Sequence, residues 1–326
     1  MTKMHRTVLA ASLSLAFAAP AAAQEPEWTR QLAVQMEAHA LALVGHAAEA
    51  LDGALQRGVR DDRRGPEVTE NFSRTVRLGR NGAVNVSNIA GDIVITGGGG
   101  DDVRIEAVKR ARGRDDADGR ARLQDVTIEV RELPNRVDVR TEYPRTGGRR
   151  NWFVAVDYTI TLPQAASVTV KTVSGDVRVT NARGDLTAET VSGDVTAAGA
   201  RRSLSLRSVS GDIRMTDTEV ERAEARTVSG NVEYAGRLAR NGDYEMDTHS
   251  GNVLLNVDTS GFDLEASTFS GDVRSDYALT LGGTQVRTVN GRGRGRPGRG
   301  IRGTFGDAGA RLSLRSFSGN IVIDRR

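Results

Sequence analysis

The sequence predicts an all-β protein, a single-stranded parallel β-solenoid (β-helix) built from short rungs of 18–21 residues. Three observations predict this class. A short row of residues recurs nine times, each row alternates apolar and polar residues, and most rows then continue with Ser-Gly-Asp or Ser-Gly-Asn. An antiparallel strand insertion and an N-terminal helix complete the predicted architecture.

The repeat is visible when rows such as VTVKTVSGDVRV and LSLRSFSGNIVI are written beneath one another. Most consecutive rows begin 18–21 residues apart, and the last begins after an interval of 28 residues. A unit this short cannot bury its apolar face alone, so each row is expected to stack on the next at about 4.8 Å. The rows begin at Val84, Val168, Leu186, Leu204, Ala223, Tyr244, Leu264, Thr284 and Leu312.

Each row is predicted to form a strand, a tight corner and a second strand. The first and third positions are apolar and the second and fourth are polar, the pattern of a half-buried strand. The fifth position is small and polar, and the sixth is apolar again. We therefore expect the alternation of inward and outward side chains to break there, so that the sixth side chain enters the core. Glycine and Asp or Asn then supply the corner.

Two segments do not fit the rows. Residues 96–167 contain longer alternating strands, which we expect to form an antiparallel sheet beside the first rung. Their strand segments are Val103–Val108, Val126–Val130, Val137–Arg140 and Phe153–Leu162.

Residues 26–58 have helical periodicity with one apolar stripe. Capping an open end of the solenoid is the expected role of this helix, with self-association, docking to a protein partner or a flexible stalk as alternatives. The stripe consists of Trp28, Leu32, Met36, Ala40, Leu43, Ala47, Leu51 and Leu55.

The first 23 residues have the features of a secretory signal peptide. Lys3 and Arg6 precede an apolar run, and a triplet of alanines offers a cleavage site before Gln24. We therefore expect an exported protein of the periplasm, cell envelope or extracellular space, with no transmembrane segment in the mature chain. The predicted organisation is a signal peptide (1–23), an amphipathic helical segment (24–60), a linker (61–74), the first rung with inserted strands (75–167) and the repeats (168–326).

Composition excludes several classes of site. The chain has no cysteine, which excludes disulfides and thiolate metal sites. Removing Lys3 and Arg6 from 45 basic residues leaves 43 against 42 acidic residues, a mature net charge of +1. A global field for binding polyanions is therefore not predicted. The signal peptide disfavours intracellular nucleic acid as a partner.

The repeated T-V-S-G-D-V of residues 172–177 and 190–195, together with the approach segment Tyr158–Pro163, resembles a family of bacterial β-strand-repeat proteins. Its members carry the name "putative adhesin", and their domain is one of unknown function. The resemblance covers about residues 75–326. It implies a secreted or envelope-associated β-solenoid without known enzymatic activity, and it supplies no catalytic residues.

A column of Asp and Asn at the corners is the first candidate site, since stacked carboxylates could bind calcium. Calcium solenoids need several oxygen ligands per turn, and no such spacing occurs here. Asn and even Arg replace Asp within the one chain, which favours turn chemistry over a metal site. The column consists of Asp92, Asp176, Asp194, Asp212, Asn231, Asn252, Asp272, Arg292 and Asn320.

The histidines are weak candidates for chemistry. His39 and His46 lack a third zinc ligand. His249 precedes Ser250 but occupies the sixth position of its row, where other rows have Val or Phe, so we interpret it as a substituted core residue. No nucleophile elbow is present. We expect no catalytic residue, no metal site and no cofactor.

Outward positions of the rows carry charges of both signs, which favours mutual screening over a catalytic cluster. A polysaccharide-active enzyme is therefore a weaker alternative. One charged column contains Lys171, Glu189, Arg207, Arg226, Asp247, Arg287 and Arg315, and another contains Glu224, Glu245 and Glu265.

An arginine- and glycine-rich segment at residues 291–302 interrupts the row of 28 residues. It is interpreted either as a solvated loop or as a contact for anionic polymers such as acidic envelope or extracellular polysaccharide. The candidate polyanion-binding residues are Arg292, Arg294, Arg296, Arg299 and Arg302. The sequence thus predicts an exported, non-enzymatic surface that binds through many weak contacts, with a periplasmic structural or assembly scaffold as the alternative.

Overall fold

The structure is a computed structural model that describes residues 65–144, 154–280 and 299–326, with only the backbone described at residue 299. The predicted signal peptide, the predicted helix at 26–58 and the row beginning at Thr284 lie outside the described residues. The all-β class is confirmed, since the described part of the chain contains twenty strands and one short helix.

The strands follow the alternation of the sequence. Those of the first half are β1 (Glu67–Arg77), β2 (Ala83–Ser87), β3 (Ile93–Gly98), β4 (Asp102–Arg112), β5 (Thr127–Leu133), β6 (Arg136–Glu142), β7 (Val154–Pro163), β8 (Ser167–Lys171), β9 (Val177–Thr180) and β10 (Asp185–Ser192). Those of the second half are β11 (Val195–Ala198), β12 (Ser203–Ser210), β13 (Ile213–Ser229), β14 (Val232–Ser250), β15 (Val253–Asp258), β16 (Gly261–Ser270), β17 (Val273–Ser275), β18 (Arg299–Gly306), β19 (Arg311–Ser318) and β20 (Ile321–Arg325).

The first strand of each row pairs with the first strand of its neighbours, and we call this set the front sheet. Its order is β5-β6-β2-β8-β10-β12-β13-β14-β19-β16-β18. All these pairs are parallel except the two outermost, β5 with β6 and β16 with β18.

The second strands of the rows form the back sheet. Its order is β1-β4-β7-β3-β9-β11-β13-β14-β15-β20-β17, in which the long strands β13 and β14 contribute to both sheets. The pairs are parallel except β1 with β4 and β4 with β7.

The rows do not stack in the order of the sequence. The last row, which begins at Leu312, pairs on one side with the row of Tyr244 and on the other with the row of Leu264. The expectation that each row stacks on the next is therefore wrong at this end. Near-identical rows offer the same edge to a neighbour, so the path of the connecting chain decides which edge is filled.

The inserted strands differ in part from the prediction. The structure has a strand at each of the four expected segments, but β6 and β7 pair in parallel with β2 and β3 and so extend both sheets. The helix α1 (Asp116–Gln124) was not expected; Asp115 caps it by accepting from the N–H of Asp118. Residues 67–74, assigned above to a linker, belong to β1.

The core lies between the two sheets and is filled by the first and third positions of each strand. In the front sheet these include Leu204, Leu206, Leu312 and Leu314, each at most 1% exposed. The fifth position is also buried, with Thr227 and Thr248 at 0%. The sixth position is only half-buried in every described row, so the predicted break in parity is wrong.

Candidate functional site: the outer face of the front sheet

In five of the described rows, the buried side chain at the fifth position makes a hydrogen bond to the neighbouring row. The hydroxyl of Thr227 donates to the carbonyl oxygen of Gly211 at 3.0 Å, and Thr248 donates to that of Gly230 at 2.9 Å. Ser208, Ser316 and Thr268 make the same bond to the neighbouring row's glycine. In these five rows a small hydroxyl residue therefore faces inward with its polar group satisfied, whereas the buried hydroxyls of Thr172 and Thr190 make no such bond.

The corner column is a ladder of hydrogen bonds. Oδ1 of Asp176 accepts from the N–H of Asp194 at 2.9 Å, and Oδ1 of Asp194 accepts from that of Asp212 at 2.8 Å. The same bond continues along the column and ends with Asn320 accepting from Asp272. Asn replaces Asp without loss because both side chains carry the accepting oxygen, which agrees with the role in the turn expected from the sequence.

Two columns remain on the outer face of the front sheet. The ionic column consists of the fourth-position side chains and the second-position glutamates that contact them, namely Lys171, Glu189, Arg207, Glu224, Arg226, Glu245, Asp247 and Arg315. The apolar column consists of the sixth-position side chains, in stacking order Ile89, Val173, Val191, Val209, Val228, His249, Phe317 and Phe269.

Charges in the ionic column neutralise one another across rows. Arg207 contacts Glu224 at 2.7 Å, and Arg226 contacts Glu224 at 3.2 Å and Glu245 at 3.0 Å. Lys171 pairs with Glu189 at 2.9 Å. Four basic and four acidic side chains therefore form one neutral network, which agrees with the screening predicted from their mixed signs.

Asp247 is the most perturbed group of this network. Its side chain is 5% exposed, and Oδ2 lies 3.4 Å from Nε of Arg226. Burial, followed by the nearby charge of Glu245, raises the pKa of the Asp247 carboxyl to about 7 against the opposing effect of Arg315 and Arg226. This aspartate is therefore held near its titration point at neutral pH.

We expect Asp247→Asn to stabilise the protein above pH 7. Because the pKa of Asp247 in the folded protein is above the ordinary aspartate value of 3.8, ionisation of Asp247 favours the unfolded state, and this cost grows as pH rises from about 4 to about 7. The full difference corresponds to about 4 kcal/mol, and loss of the pairing with the arginines reduces the expected gain to about 1–2 kcal/mol. Urea unfolding at pH 5 and pH 8 measures it; a gain equal at both pH values would contradict the assignment.

His249 belongs to the apolar column and not to the core, so its interpretation as a core residue is wrong. Its ring stacks on that of Phe317, with centroids 4.8 Å apart and planes 3° from parallel, and Phe317 stacks in the same way on Phe269. The sequence separates these three rings by up to 68 positions, and the insertion of the last row brings them together. If inward and outward side chains alternate without a break up to the sixth position, that position faces outward. This alternation was the sequence signal that could have predicted the apolar column.

The arginine-rich segment lies in the sequence between β17 and the first residues of β18, and β18 is the last strand of the front sheet. Of its candidate residues, Arg292, Arg294 and Arg296 and the side chain of Arg299 lie outside the described residues. Arg302 is exposed and pairs with Glu265 at 2.5 Å. Its charge is therefore already offset by the acidic column that the sequence analysis identified. Arg287, which the sequence analysis places in the first charged column, also lies outside the described residues.

No group of three or more potential metal-binding side chains occurs in the described ranges. Within the same ranges, no helix has the length and apolar character needed to span a membrane.

The family model of Toastrack DUF4097 matches residues 161–324, just over half of the chain. A "putative cell adhesion protein" from Clostridium sporogenes is 10% identical, with a TM-score of 0.36 and coverage of 79% of this chain and 100% of its own. A "putative adhesin" from Bacteroides fragilis is 12% identical, with a TM-score of 0.39 and coverage of 80% and 97%. Another from Parabacteroides distasonis is 13% identical, with a TM-score of 0.36 and coverage of 80% and 98%. No curated protein matches the sequence.

Proposed function

The chain belongs to the Toastrack DUF4097 family, and from that premise we propose that it is an exported, non-enzymatic binding protein of the cell envelope. In this proposal the rows are coils of a parallel β-solenoid, and binding occurs through repeated outward side chains. The domain's own function is unknown, so the proposal depends on the chain's surface.

The observation that carries the proposal is the ionic column. A catalytic centre needs acids, bases or nucleophiles that converge on one reacting atom. Here the outward acids and bases are spread over successive rows and pair with one another, as Arg226 does with Glu224 and Glu245. A surface of this kind suits an extended ligand held by many weak contacts.

The proposed ligand class is an anionic envelope or extracellular polysaccharide, and the arginine-rich segment is its proposed contact. The ionic column is neutral within itself, so it leaves no excess positive charge for a polyanion. Arg292, Arg294, Arg296 and Arg299 lie within eight residues of the sequence and add four positive charges to the chain between β17 and β18. Attraction to a polyanion would be concentrated there and would weaken with added salt.

Binding of the mature protein to immobilised heparin and to lipopolysaccharide, measured over a range of salt concentrations, tests this proposal. The variant carries Arg→Ser at positions 292, 294, 296 and 299. Its matched control carries Arg→Ser at the exposed residues Arg178, Arg183, Arg237 and Arg274, which removes the same charge. Loss of binding only in the first variant supports the proposal, while equal loss in both, or no binding by the parent protein, contradicts it.

The second candidate is a periplasmic scaffold, favoured by the half-buried apolar column. Protease treatment of intact and permeabilised native cells separates the two candidates. Cleavage of the protein on intact cells places it at the surface and supports binding of external ligands. Cleavage only after permeabilisation favours the scaffold.

A further inference from the structure

The apolar column differs from every other outward column of the front sheet. Its neighbours at the second and fourth positions are mostly polar or charged, whereas seven of its eight members are Ile, Val or Phe. From this contrast we propose that the apolar stripe of residues 26–58 lies along the apolar column and covers it. This inference does not depend on the proposed function.

The shape of the column suits packed aliphatic side chains. Its eight members extend over seven row spacings, or about 34 Å. The rings of His249, Phe317 and Phe269 stack face to face, so the faces of the middle ring are covered and ring edges point outward. A sugar ring binds an aromatic face, whereas side chains from a helix can pack against edges and the valines beyond them.

Residues 26–58 provide an occupant of matching length. The apolar stripe predicted by the sequence runs from Trp28 to Leu55, which in a helix covers about 41 Å. An amphipathic helix of this kind gains most of its stability from packing its apolar face. Gly45 and Gly53 weaken the isolated helix further, so it needs such a surface.

The entry point of the described chain is close to one end of the column. Ala90, which follows Ile89, accepts a hydrogen bond from Val156. Val156 pairs with Lys109, and Lys109 pairs with Glu70. Glu70 therefore lies three strand spacings, about 14 Å, from Ala90. A segment that ends at residue 58 can reach the Ile89 end of the column and run back toward Phe269.

Crosslinking tests the placement cleanly because the protein contains no cysteine. In the mature full-length protein, Ala47→Cys is combined with Val209→Cys, which the helical rise places opposite each other. The matched control combines Ala47→Cys with Thr196→Cys on the outer face of the back sheet. Each protein is treated with a short bismaleimide and examined by mass spectrometry, and circular dichroism confirms that both are folded.

We expect a linked monomer as the main product of the front-sheet pair and little of it in the back-sheet pair, since contact raises the effective concentration to about millimolar. Adding Leu43→Glu should reduce the linked monomer severalfold, whereas Ala38→Glu, on the opposite side of the predicted helix, should not. Equal linkage in both pairs, linkage in neither, or linked dimers in place of monomers would overturn the proposal. Linked dimers would assign the column to a second copy.

Discussion

Deletion of residues 311–326 is expected to destabilise the whole described fold and not merely shorten its end. These residues form β19 and β20, which lie between two other rows in both sheets. β19 separates β14 from β16, and β20 separates β15 from β17. Their removal breaks four strand pairings and exposes the core beside Leu255 and Leu264.

The expected effect is several kcal/mol, since Leu312, Leu314, Ile321 and Ile323 are each buried and each loss of such a side chain costs about 2–5 kcal/mol. Thermal unfolding followed by circular dichroism measures it. Deletion of residues 324–326 is the control, because it leaves these four residues in place. A truncated protein with an unchanged unfolding midpoint would show that the last row is not inserted between the other two.

Gly211→Ala is expected to be the most damaging single substitution considered for this protein. Gly211 has a φ of 154°, and an added Cβ would come within 3.0 Å of the backbone carbonyl of Gly193 in the next row. The same close approach recurs at Gly175, Gly193, Gly230 and Gly251. Backbone carbonyls in a stacked sheet cannot move aside independently, so we expect a loss of about 3 kcal/mol or more in the free energy of unfolding.

Gly99→Ala is the matched control for this substitution. Gly99 is exposed, and an added Cβ there would meet no atom within 4 Å. Its free energy of unfolding should change by no more than about 0.5 kcal/mol. Urea unfolding of both variants provides the comparison, and similar stabilities for Gly211→Ala and Gly99→Ala would refute the argument from close row spacing.

Much of the candidate site was predictable at the level of columns. Mixed charges at equivalent row positions predicted an outward ladder, and the structure pairs Arg207 with Glu224. The exchange of Asp and Asn at the corner favoured a role in the turn. The hydrogen bond from the N–H of Asp194 to Oδ1 of Asp176 shows why either residue fits, since both carry the accepting oxygen. The partner of each charge was not predictable, since Arg302 reaches Glu265 across 37 positions through strand pairing.

The direction of the sixth position was also beyond the sequence. The buried hydroxyl of Thr227 is satisfied by the carbonyl oxygen of Gly211, and that oxygen belongs to another row. Without this non-local acceptor, the valine or phenylalanine of the sixth position is the better core residue on hydrophobicity alone. The helix α1 was missed because it carries no apolar stripe, although Asp115 is a capping residue.

By itself the sequence determined the repeat, the strands within each row, the glycine corners and the all-β class, because these depend on backbone geometry and side-chain alternation that every row repeats. Only the tertiary structure decided the order of the rows, the outward apolar column and the pairing of the charges. The physical reason is the similarity of the rows themselves: the row of Leu312 has the same alternating pattern as its two neighbours, the rows of Tyr244 and Leu264. Which edge it fills depends on the path of the chain between rows, and that path is not part of the repeat.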